Sequence, residues 1–178
     1  MNTDQPQSAT PPRQVKKTPI THLQEIGACS EARSWVAAGK FRSLEAAWKA
    51  CDNPRWLLWY ADRKAGPVGD PKRKVIVTVA CDIARLVLPI WQNKYPDDKR
   101  VENCILTTEA WVRGEATIEK VLKARRAAAD SAAYTVDAAA YAARDASAYA
   151  ATSALPARKR IAEQALTIIR KHYPTLPT

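Results

Sequence analysis

Apolar residues recur every three to four positions through most of this chain, which is the period of an α-helix and not the alternation of a strand. From Thr21, the residues Ile26, Cys29, Ala32 or Arg33, and Val36 fall on one helical face, and Gly39 stands where a helix would end at C′. Ser43 predicts the N-cap of a short helix through Leu44, Ala47 and Trp48. Asp52 and Asn53 offer the next cap, with Pro54 at a first-turn position where its missing N–H costs nothing. Trp56, Leu57, Trp59 and Tyr60 then form a dense aromatic face that Gly66-Pro67 interrupts, and Asp70-Pro71 repeats the start signal. Valine and isoleucine at 75–79 fit a strand locally. Ile76, Ala80, Ile83, Val87 and Ile90 continue the run at helical spacing, so a helix is expected. Pro89 inside it predicts a kink, because the ring meets the carbonyl of Arg85 and removes one bond, at about 3 kcal/mol. Tyr95-Pro96-Asp97-Asp98 reads as a turn with a cap, and Val101, Ile105, Thr108 and Val112 as one face of a helix closed by Gly114.

Between Ala124 and Ala157, 17 of 34 residues are alanine, and an Asp-x-x-x-Tyr unit occurs three times, at Asp130–Tyr134, Asp137–Tyr141 and Asp145–Tyr149. Starts 7 and then 8 residues apart bring all three units near one helical face. Alanine favours helices and lets their backbones approach closely, so the tract is a packing device. One straight helix from Thr117 to Thr152 would be roughly 54 Å long, against a diameter near 40 Å for a compact domain of this size. A break is expected, at Thr135-Val136. Ser153 and Pro156 restart a last helix with Ile161, Ala165, Ile168 and His172 along one side. The pattern therefore predicts an all-α, single-domain, alanine-rich bundle of about seven or eight helices over residues 21–178. Residues 1–20, with Pro6, Pro11, Pro12 and Pro19 among Gln, Thr and Ser, are expected to be a disordered polar tail.

A net charge of +10 on 178 residues favours acidic partners, whether nucleic acid, anionic lipid or an acidic protein surface, though a basic surface also serves solubility alone. The clusters Lys72-Arg73-Lys74, Lys123 to Arg126 and Arg158-Lys159-Arg160 would follow a phosphate backbone if they converged on one face. They adjoin helix ends, where solvated Lys and Arg are ordinary, and no nucleic-acid-binding motif accompanies them. Cys29, Cys51, Cys81 and Cys104 lie 22, 30 and 23 residues apart without a C-x-x-C pair, and His22 and His172 sit near the two ends. That spacing is not that of a zinc site, so buried structural thiols are expected and no metal. Without a signal-like N-terminus or a run of ~20 apolar residues, the expected setting is cytoplasmic, with no membrane partner.

No nucleotide-binding, zinc-protease or nucleophile-elbow motif is present, and no catalytic residue or cofactor is expected. The Asp130, Asp137 and Asp145 row resembles an acid/base or metal row only superficially, since a Tyr one turn onward is a simple i to i+4 partner for each. Asp52 is explained by capping. Asp82 falls in mid-helix, where a buried ion pair with Arg85, Arg55 or Arg63 is expected. Trp56, Trp59, Asp82 and Arg85 define a possible pocket, with a tryptophan-rich core as the simpler alternative. Trp and Arg dominate protein interfaces, which makes Arg55, Arg63, Arg73, Arg125 and Arg126 the candidate partner contacts.

The run Ser43-Leu44-Glu45-Ala46-Ala47-Trp48-Lys49-Ala50-Cys51, followed by Pro54-Arg55-Trp56-Leu57-Leu58-Trp59, resembles the alanine-rich "putative immunity protein" family of bacterial polymorphic toxin systems. Cys81-Asp82-Ile83-Ala84, Ala110-Trp111-Val112-Arg113-Gly114 and the alanine tract continue the likeness, which spans residues 27–172. The resemblance implies a non-enzymatic helical protein that binds and neutralises a toxin, or a phage or mobile-element relative that counters a host factor. It supplies no catalytic residues. Proteins that block nucleases commonly present acidic surfaces, whereas this chain is strongly basic, so a protein target should offer a negative patch or an apolar groove. The charge alone supports the alternative of a basic helical nucleic-acid-binding protein, and the Trp56/Asp82 pocket that of a small-ligand enzyme. The oligomeric state stays open.

Overall fold

The computed structural model describes residues 17–131 and 155–178. Among them lie eight helices, α1 (Pro19–Glu25), α2 (Ser30–Ala38), α3 (Leu44–Ala50), α4 (Pro54–Lys64), α5 (Pro71–Lys94), α6 (Arg100–Arg113), α7 (Ile118–Ser131) and α8 (Leu155–His172), and no strand. The fold is all-α, as the periodicity predicts. The chain divides into two compact units at the Ser43–Leu44 junction, a finer partition than one helical domain from residue 21. The three Asp-x-x-x-Tyr units and the expected break at Thr135-Val136 lie outside what is described.

In the first unit, helical structure begins at Pro19, inside the expected tail, because Pro19 opens the first turn and the Thr18 hydroxyl accepts from the Thr21 N–H at 3.2 Å. The single face expected from Ile26 to Val36 is split. Gly27 takes φ +78, α1 ends before it, and α2 starts at Ser30. Cys29, at the N-cap of α2, is exposed, unlike the buried thiol expected there. Gly39 does follow α2, but at φ −73 it is right-handed, and Lys40 takes the left-handed position at φ 49. The glycine is needed for space: a Cβ there would meet the Phe41 ring, which packs on Trp35 with centroids 4.9 Å apart.

In the second unit the Asn53-Pro54 and Asp70-Pro71 start signals act as read, while Ser153 lies outside the described residues. Asn53 Oδ1 accepts from the Arg55 N–H at 3.0 Å and Asp70 Oδ1 from the Lys72 N–H at 2.8 Å, with Pro54 and Pro71 in the first turns behind them. Asp98 accepts from the Arg100 N–H, and Gly114, left-handed at φ 84, ends α6. The 24-residue α5 is the central element and touches α4, α6 and α8. It continues beyond Pro89 to Lys94.

With neighbours on several sides, the buried arc of α5 is wider than one stripe and differently centred. Ile76, Val79, Cys81, Ile83, Ala84 and Leu88 are buried, while Ala80 and Val87 of the expected face are half-buried and Ile90 is 40% exposed. Cys81, Ala84 and Leu88 meet Ile105 of α6, with Val77 and Val101 closing the cluster. Contrary to expectation, α5 is long and apolar enough by length and composition to cross a membrane. Its neighbours and its two mid-helix charges, Asp82 and Arg85, each facing a partner on another helix, explain that composition as a core helix. α8 buries Ile161, Ala165 and Ile169, so Ile169 takes the place expected for Ile168, which is half-buried.

Candidate functional site

α4 reaches the surface along a narrow arc. Leu57, Leu58, Tyr60 and Ala61 are buried, Trp56 and Trp59 are half-buried, and Arg55, Asp62 and Arg63 are exposed. At 100° per residue the last five cluster on one side with Trp59 at the centre, Arg55 one turn before it and Arg63 one turn after. The Arg63 guanidinium lies over the Trp59 ring, 5.5 Å from its centroid.

Two anchors flank this helix, one at its C-terminal end and one at the end of α3 before it. Arg73, at the start of α5, pairs with Asp62 and donates from Nε to the Gly66 carbonyl at 2.9 Å, so one guanidinium joins the end of α4 to the start of α5. Its side chain is 25% exposed and committed to these contacts. On the other flank Arg170 of α8 donates from one terminal nitrogen to the carbonyls of Trp48 (2.7 Å), Cys51 (2.9 Å) and Lys49 (3.2 Å) at the end of α3, and lies 5.6 Å from the Trp48 ring centroid. Tyr60 and Tyr173 also pack on Trp48, the second edge-on. The last residues continue this seam: the Leu176 N–H donates to Glu45 Oε2 at 3.0 Å, and Lys72 Nζ donates to the Thr178 carbonyl at 2.7 Å. Arg170 carried no sequence signal, since its acceptors lie some 120 residues away.

The buried ion pair expected for Asp82 does not form with Arg85, Arg55 or Arg63. Asp82 Oδ2 faces His172 Nε2 at 3.3 Å, within ion-pair range but without hydrogen-bond geometry, and the Asp82 side chain is 41% exposed. Arg85 instead grips Glu109 of α6 through two bonds, Nε to Oε1 at 2.6 Å and a terminal nitrogen to Oε2 at 2.7 Å. That fork holds the Glu109 carboxyl below its ordinary range and raises Arg85. Asp82 is thus turned toward α8 and Arg85 toward α6, while Trp56 and Trp59 lie half-buried on α4. Periodicity placed these residues along their helices, but the crossing of the helices decides which side chains meet.

Burial pushes the Cys81 thiol up to about 12, and raises Cys51 and Cys104 as well, so these three are small core side chains in their protonated form. Among the described residues, no three His, Cys, Asp or Glu side chains gather as metal ligands would.

The basic clusters are spread out. Lys72 and Arg73 lie beside the segment that follows α8, whereas Lys159 and Arg160 open α8, about 18 Å away along the helix axis. Arg125 and Arg126 are exposed on α7, which packs on α6, and the Arg125 charge reaches the Cys104 thiol.

A family model described as "Imm-5 like putative immunity protein" matches residues 67–175. No curated protein and no solved structure matches the chain. Cys81–Ala84 and Ala110–Gly114 fall inside the matched span, whereas the likeness at residues 43–59, with α3 and α4, precedes it. The match covers more than half of the sequence and contains α5, α6, α7 and α8, the helices that build the core: the chain belongs to the Imm-5-like putative immunity protein family.

Proposed function

We propose that this protein neutralises a toxin by binding it and covering its working surface, without chemistry of its own. The family match over residues 67–175 carries the reading. The described side chains agree with it: three of four thiols are core residues, and Glu109, Asp62 and Glu45 are engaged in fold-building contacts. The partner is a protein whose surface is acidic or apolar, since the chain's charge of +10 would speed encounter with an acidic one. Arg55, Arg63, Arg125 and Arg126 are exposed and are the candidates for that encounter, with Arg73 paired to Asp62 beside them. Four free cysteines fit action in the reducing cytoplasm.

The test is growth rescue. A toxin encoded beside this protein, induced alone, should arrest growth, and co-expression of the protein should restore it with a stoichiometric complex recovered by native mass spectrometry. Arrest that persists at equal expression, with no complex, refutes the proposal.

A further inference from the structure

We propose that the outer arc of α4, formed by Arg55, Trp59 and Arg63 with Trp56 at its edge, is the docking surface for an acidic segment of the partner protein. The proposal rests on the protein-binding reading above and gives it a location and a chemistry.

Trp and Arg are the side chains most often energetically dominant at interfaces, and here they alternate along one exposed ridge at i, i+4 and i+8. The cation–π contact with Trp59 restrains Arg63, whose guanidinium N–H groups suit a carboxylate. Arg55, one helical turn before Trp59, is exposed as well. The carboxylate on this arc, Asp62, is paired with Arg73, which leaves the ridge a net positive field. Arg73 is thus a positioning residue: it pairs with Asp62 and ties the end of α4 to Gly66.

From Arg55 to Arg63 the ridge is about 12 Å long. That length suits two or three carboxylates on one helix or loop. Nucleic acid is the weaker fit, because a phosphate backbone is typically held by about 6–10 contacts and the other basic clusters lie on other elements. The ridge also precedes residues 67–175, the span that the family model matches.

Site-specific photo-crosslinking of the full chain in its producing bacterium decides the matter. The probes are Trp59→p-benzoylphenylalanine and, in case that substitution disturbs folding, Arg55→p-benzoylphenylalanine. Probes at Leu106 and Leu122, which are 47% and 41% exposed on α6 and α7, serve as comparison sites. The expected result is a nuclease-resistant crosslink from the α4 positions to a protein segment rich in Asp and Glu. Its yield should fall at least about tenfold on charge reversal, by Arg55→Glu/Arg63→Glu with the Trp59 probe or by Arg63→Glu with the Arg55 probe, in variants whose circular dichroism should be unchanged. Crosslinks from Leu106 or Leu122 but none from α4 would overturn the ridge and leave the protein-binding reading standing. Crosslinks from α4 to a non-acidic segment, or to nuclease-sensitive material, would also overturn it. Silence from all four positions, in cells that express the toxin, would overturn both.

Discussion

Replacing Arg170 by alanine should loosen α3 from the helical core, and the size of the loss follows from the hydrogen count. One terminal nitrogen of Arg170 faces three carbonyls, at 2.7, 2.9 and 3.2 Å. It carries two hydrogens, so two bonds run at full strength and the longest contact shares one of them. The two close acceptors, Trp48 and Cys51, are part-buried, whereas the Lys49 bond is exposed and water can replace it. A bond from a charged donor contributes about 1.5–3 kcal/mol when well enclosed. Partial exposure reduces each of the two to about 1–1.5 kcal/mol, and the cation–π contact with Trp48 adds about 0.5–1 kcal/mol. Arg170→Ala should therefore cost about 2.5–4 kcal/mol, and Arg170→Lys, which keeps the charge but not the planar fork, about half of that. Urea unfolding followed by tryptophan fluorescence measures both, and thermal unfolding should show the alanine variant melting about 5–15 °C lower. A loss below about 0.5 kcal/mol, or equal losses in the alanine and lysine variants, would refute the assignment of Arg170 as the anchor of α3.

The Glu109 carboxyl is held below its ordinary value of 4.5 by the Arg85 fork, so its contribution to stability is complete above about pH 4.5 and disappears as pH falls through the lower folded-state value. Glu109→Gln should lower stability at pH 7 by about 1 kcal/mol and flatten the acid limb below pH 4.5 in urea titrations at several pH values, and an unchanged limb counts against it. Brief maleimide labelling of the native protein at pH 8 should give one adduct, on the exposed Cys29, while buried Cys51, Cys81 and Cys104 wait for unfolding; early adducts on those three would contradict their burial. Gly114→Ala should cost about 1–2 kcal/mol in the same unfolding assay, because φ is 84 while the space around a new Cβ is open, so the strain is in the backbone alone. A neutral Gly114→Ala would mean that α6 does not end in that conformation.

Helices and their ends could be read from the sequence because their causes are local. Asn53-Pro54, Asp70-Pro71 and Asp98 each cap a backbone N–H two residues on, and Gly114 ends α6 where a left-handed residue is needed. A few residues carry each of these signals, whatever the rest of the chain does. The Gly27 break between α1 and α2 is also local, but it was hidden by apolar spacing that happened to continue across it.

The site was legible only in part. Residue type singled out the tryptophans and arginines of α4, but not the partners of Asp82 and Arg85, which face His172 of α8 and Glu109 of α6. Sequence alone determined that this is a chain of helices, where most of them start, and that its surface is basic. The tertiary structure decided how each helix is turned about its axis, and with it that Ile169 is buried in place of Ile168, that Arg73 joins the end of α4 to the start of α5, and that Arg170 closes α3 from far along the chain. A helical period leaves that rotation open by tens of degrees, and only packing against neighbouring helices removes the freedom.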